Sequence, residues 1–132
     1  MRDSLHLVDS REVEQSLAIK YTGFPWFAGG RGPHEFDCAG LCIHIYKTEL
    51  GIDIGEDFEN PSDKWERVEK PESLSIVSML TDGGDSHVGL WFESDRGGVF
   101  HAVAGYGVTF TPVSKLSAFR LNISAFYRYI QP

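Results

Sequence analysis

The stretch "HEFDCAGLCIHIYKTELG", residues 34–51, joins the fold of this chain to its chemistry. A glycine- and proline-rich run ends at Asp37, and a helical pattern begins at Cys38. Asp37 is suited to cap the first free N–H groups, and Gly51 to close the helix in the left-handed conformation. Because "LCIHIY" is apolar around most of the helical circumference, the helix over 38–50 is expected to be buried. Cys38 then lies in the first turn, where unpaired N–H groups and the positive end of the helix dipole lower a thiol pKa. Ala39 and Gly40 leave the sulfur unshielded, while the Asp37 carboxylate next door works against the thiolate. Cys42 lies inside the apolar run and reads as core. Two cysteines four apart on one helix face rarely reach disulfide geometry, so both read as free thiols.

Outward from this helix, residues 9–20 form an amphipathic pattern, with Asp9 and Glu12 at capping-box spacing. Residues 21–37, "YTGFPWFAGGRGPHEFD", read as a loop, and residues 52–72 as acidic and irregular with a short turn near Lys64–Val68. The remainder changes character. "SLSIVSML", "HVGLWFE", "GVFHAVA", "GVTFTPV" and "RLNISAFYRYI" are β-branched and aromatic, and turns such as "TDGGDS" and "SDRGG" separate the first three. Helices followed by a run of strands predict an α+β domain, an antiparallel sheet with helices packed on one face.

The chain of 132 residues is read as a single domain over residues 1–132, long enough for one core. Twelve basic against nineteen acidic side chains give a formal charge of −7. That balance, without a basic cluster, argues against binding to nucleic acid or an anionic membrane. No apolar run has transmembrane length, and the first fifteen residues lack the order of a signal peptide. The expectation is a protein made in the cytoplasm and delivered by something other than a leader.

A thiolate nucleophile needs a base. His44 is six residues past Cys38, about 240° around the helix, and cannot fold back to the sulfur. His6 offers no constellation, and His34, in the loop before the helix, is placed to touch substrate rather than to act as base. His87 and His101 stand fourteen residues apart on two strands joined by a short turn. A hairpin makes them neighbours. A helix 38–50 packed on that sheet face would bring Cys38 to them, with Gly89 allowing its close approach. The pattern permits nucleophile, base and an orienter that fixes the base's tautomer.

Three blocks, in this order, resemble the NlpC/P60 family of papain-like cysteine peptidases. "GFPWFAGGRGPHEFDCAGL" (23–41) is similar to the pattern G-x-P-Y-x-x-G-G followed by F-D-C-S-G-L. "HVGLWFE" (87–93) is similar to the H-V-G-I-Y block, and "GVFHA" (98–102) to the block carrying the third polar residue. The resemblance implies a papain-like fold with the nucleophile at the N-terminus of the central helix. By it Cys38 is the nucleophile, His87 the base and His101 the orienter; Trp26, His34 and Asp37, in the loop before the helix, are expected to border the substrate. It implies hydrolysis of peptide bonds in peptidoglycan stems, with no metal or organic cofactor. Trp26 stands where the family has tyrosine, and Ala39 where it has serine.

Small domains of this kind also resemble those of phage tails. The implied setting is a virion tail or a phage-derived particle, with other tail proteins as partners, acting on the target cell wall. Three rivals stay open at this point. One is a tail-tip structural protein that keeps the fold without the activity. Another is a different acyl chemistry on the same thiol. The last is a metal site from Cys38, Cys42, His87 and His101, whose C-x3-C spacing on one helix is unusual for zinc.

Overall fold

The computed structural model describes residues 9–59 and 62–130; His6 and the last two residues of the aromatic tail lie outside them. Helix α1 spans Ser10–Tyr21 and helix α2 Cys38–Leu50. The strands are β1 (Trp65–Val68), β2 (Ile76–Thr81), β3 (Ser86–Phe92), β4 (Gly98–Val103), β5 (Gly107–Pro112) and β6 (Leu121–Tyr129). They form one six-stranded sheet in the order β1-β6-β2-β3-β4-β5. Every pairing is antiparallel, as the α+β reading requires.

Both faces of this sheet are covered. Side chains alternate along a strand, so Val88, Leu90 and Phe92 face one way and His87, Gly89 and Trp91 the other. The first set joins Leu41, Ile45 and Tyr46 of α2 and Leu17 of α1 in the larger core. On the far face Val77, Met79, Trp91 and Val99, with Leu121 of β6, pack with Leu116. Leu116 belongs to a 3₁₀ segment, Val113–Phe119, that strand and helix periodicities do not reveal. All six residues of β4 are buried as a result.

Helix α2 carries the caps its sequence predicts. The Gly40 N–H donates to Asp37 Oδ1 at 2.6 Å, and Gly51 sits at φ 71°. In α1 the Asp9 carboxylate accepts from the Arg11 N–H at 3.0 Å, two residues on rather than three, so the spacing with Glu12 does not make the expected capping box. The expected turn near Lys64–Val68 is instead edge strand β1, paired to β6 from Trp65↔Tyr129 to Val68↔Phe126. Four residues with two charged ones at the centre carry no readable period of two.

The opposite margin of the sheet, at the start of β5, is paired with the loop that leads to α2. Gly23 N–H donates to the Val108 carbonyl at 3.0 Å, and Val108 N–H to the Phe24 carbonyl at 2.9 Å. The N-terminal end of α2 is seated on the same loop. A Cβ on Gly40 would lie 1.8 Å from the Gly30 carbonyl oxygen, so only glycine fits there.

Candidate active site

Cys38 is half-buried at the N-terminus of α2, and Cys42 is fully buried one turn on; both are free thiols. The loop before them is drawn together by Asp37. Its Oδ1 accepts from Gly40 N–H and Arg31 Nη1, and its Oδ2 from Gly29 N–H at 3.1 Å. Arg31 in turn pairs with Glu56 at 2.8 Å. The N–H groups of Cys38 and Ala39 precede the first intrahelical bond, Leu41 N–H to the Asp37 carbonyl at 3.1 Å. Among the described residues neither donates to a backbone carbonyl, as at the start of any helix.

His87 and His101 are directly joined. His87 Nε2 lies 2.8 Å from His101 Nδ1, and His101 Nε2 lies 2.9 Å from Thr111 Oγ1. His101 is completely buried and Thr111 nearly so. The Phe119 ring stands edge-on to His101, with centroids 6.0 Å apart. Gly89 makes room for this pair rather than for a helix. A Cβ there would meet Val99 Cγ1 at 2.4 Å and His101 Cβ at 2.9 Å. The expectation that α2 packs on the histidine face is thus corrected: the histidines project from the opposite side of the sheet.

The two halves meet because the strands part. The β3–β4 ladder runs only from Leu90↔Phe100 to Phe92↔Gly98. Trp91 N–H points to Ser75 on the β2 side, so the N–H groups of Leu90 and Val88 point toward β4. At Val88 that ladder has ended, and its N–H is left close enough to the Cys38 thiol to pull its pKa down. The thiol therefore lies beside the residue that follows His87. Among the described residues no hydrogen bond joins the thiol to the His87 ring itself. Catalytic contacts are often long before substrate binds.

The electrostatics reverse one sequence expectation. Burial pushes the Cys38 thiol up, and Asp37 and Glu59 push the same way, against the pull of the Val88 and Ala39 N–H groups. Burial lowers His87 to about 4 and His101 further, the latter also repelled by His87. At neutral pH the site rests as a neutral thiol beside neutral rings. The thiol acquires its charge only when a base removes the proton.

A cleft of about 730 Å³ is lined by Glu56, Phe58, Glu59, Trp65, Tyr127 and Val88, and Cys38, His87 and His101 are not among its lining residues. Nor are Trp26, His34 and Asp37. Trp26 is half-buried against the larger core, and its backbone bridges to Phe36. His34 is exposed, its ring edge-on to Phe24 at 5.5 Å. His44 packs against Phe36 at 5.2 Å and Tyr21 at 5.6 Å. Thr111 escaped the sequence reading. The alternation in "GVTFTPV" puts Thr109 and Thr111 on one face, but which strand they face is set by the register. Among the described residues no group of three or more His, Cys, Asp or Glu side chains is arranged to hold a metal ion.

Fold and site define an antiparallel α+β protein with a cysteine at the start of a helix and a bonded histidine pair on the neighbouring strands. The model of the NlpC/P60 family matches residues 23–120, and the chain belongs to that family. It is 30% identical over 90 residues to Protein P54 of Enterococcus faecium, a match covering 68% of this chain. The matched stretch is only 15% of that relative's length. The NlpC/p60 domain of the peptidoglycan hydrolase SagA has the same fold, with TM-score 0.65, 21% identity and coverage of 93% of this chain and all of that one. NlpC2 of Trichomonas vaginalis aligns with TM-score 0.70 and 22% identity over 92% of this chain and 49% of its own.

Proposed function

We propose that this chain is a cysteine peptidase that hydrolyses peptide bonds in bacterial peptidoglycan stems. The observation that carries the reading is the closeness of the Cys38 thiol to the Val88 N–H, one residue from His87, whose ring is bonded to His101. With His87 Nε2 engaged by His101, Nδ1 is the nitrogen left to serve the thiol. As Sγ attacks the carbonyl carbon, Nδ1 takes the thiol proton, and the oxyanion is met by the N–H groups at the start of α2. The imidazolium then returns its proton to the leaving amine, and a thioester remains on Cys38. His87 next takes a proton from water, whose oxygen attacks the thioester and releases the acid and the free thiol.

Peptidoglycan as substrate is supported by membership of the NlpC/P60 family and by the description of SagA as a peptidoglycan hydrolase. Digestion of purified peptidoglycan, with released muropeptides followed by mass spectrometry, tests it. Wild type should release peptide fragments and Cys38→Ala none, both proteins being folded. Release of nothing by either, across several wall chemotypes, would leave the tail structural protein as the better reading. Carriage in a virion tail is proposed on the resemblance of the sequence alone. Purified particles should then contain the chain among their tail proteins, and its absence from them would remove that setting.

A further inference from the structure

We propose that Thr111 is a positioning residue of the site, whose hydroxyl keeps the His101 proton on Nε2 and so keeps His87 Nδ1 free to act as base. The inference rests on the thiol-peptidase reading for its kinetic consequence, but not for its structural one.

Each neutral imidazole carries one proton and one lone pair, and in a chain of two rings the choices are linked. For His87 to accept a proton at Nδ1, its own proton must be on Nε2. That N–H then donates to His101 Nδ1, 2.8 Å away, which must be a lone pair. His101 must therefore carry its proton on Nε2, 2.9 Å from Thr111 Oγ1. His101 is fully buried, so no water takes that proton in place of the hydroxyl. Remove the oxygen and Nε2–H is left without an acceptor. The proton is then better satisfied on Nδ1, donating to His87 Nε2. That arrangement forces the His87 proton onto Nδ1, and the base is blocked.

The geometry is built rather than incidental. In the β4–β5 ladder Val99 pairs with Thr111 and His101 with Thr109. Thr111 is therefore on the same face as His101, on the diagonal that long side chains reach across. Phe119 bounds the ring on its other side. The demand on Thr111 grows during the reaction: when His87 is an imidazolium, its Nε2–H needs the His101 lone pair more, and His101 needs an acceptor behind it.

Nitrogen-15 NMR of the histidine rings tests this without catalysis, in a Cys38→Ala background at neutral pH. Nε2-protonated neutral rings at both His87 and His101 are expected. A proton on His101 Nδ1 in that protein would overturn the proposal with no further variant. Thr111→Val should move proton population to His101 Nδ1, and Thr111→Ser should restore the pattern. With Cys38 intact, Thr111→Val should lower kcat on the order of tenfold to a hundredfold with KM little changed, and Thr111→Ser should recover most of it. Unchanged tautomers and unchanged kcat in Thr111→Val would overturn the assignment. The expected tautomers in a protein that digests no wall would instead refute the peptidase reading and leave the role of Thr111 standing.

Discussion

At the scale of single residues, the site stores its reactivity as neutral groups held out of water. A histidine whose folded pKa is depressed contributes stability that is fully present above its unfolded value and is lost as pH falls. For His87 the window runs from about 6.5 in the unfolded chain down to about 4 in the folded one. Between pH 6.5 and 5, above the main carboxylate titrations, each ring should withdraw about 1.5 kcal/mol of stability. Urea titrations at a series of pH values should show the loss, and His101→Gln should flatten the slope. The same depression keeps the base unprotonated well below pH 6, so the acid limb of the activity profile is expected near the folded value. Both histidines were legible in the sequence because their strands are neighbours through a short turn. The raised thiol was not: the helix start argues for a lowered pKa, and only the packed structure shows the burial that outweighs it.

At the scale of elements, α2 was the most legible part of the chain, since both of its ends are written in local chemistry at Asp37 and Gly51. What local chemistry does not record is the carbonyl against which the helix is seated. Glycine within a helix costs about 0.5–1 kcal/mol relative to alanine, so Gly→Ala there usually stabilises. Gly40→Ala should do the reverse, because its Cβ would fall 1.8 Å from the Gly30 oxygen. We expect a loss of about 2 kcal/mol or more by chemical denaturation, in the range of overpacked cores. Gain of stability in this variant would show that the loop yields easily. Strand β1 and the 3₁₀ segment were illegible for a related reason: β1 is defined by pairing with β6, and Leu116 by the face it covers. The parting of β3 from β4 likewise has no sequence mark other than Gly89, whose space serves His101.

At the scale of the whole molecule, a buried carboxylate ties distant segments together. Glu14 of α1 is almost fully buried and accepts from Ser73 Oγ at 2.6 Å, from Glu93 N–H at 2.7 Å and from Ser94 N–H at 3.1 Å. It thereby anchors the approach to β2 and the β3–β4 turn to the first helix. Nothing near Glu14 in the sequence distinguishes it from an exposed helix residue, because its partners lie some 60 to 80 positions away. Glu14→Ala leaves the part-buried donors of Ser73, Glu93 and Ser94 without their acceptor and should cost about 2 kcal/mol. Glu14→Gln, which keeps one acceptor oxygen, should cost less. Equal, small losses in both would place the anchoring elsewhere.

The pairing of the start of β5 with Gly23 and Phe24 bears on how such a chain behaves at high concentration. A strand at the border of a sheet is a template on which another chain can add. Here the start of that template, at Val108, is already occupied by the chain's own loop, while the other border, β1, is only four residues long and carries Glu66 and Arg67 at its centre. The segment that delivers the cysteine to its place is thus also a guard against self-association. A change that loosened it to widen substrate access would uncover an adhesive border at the same stroke.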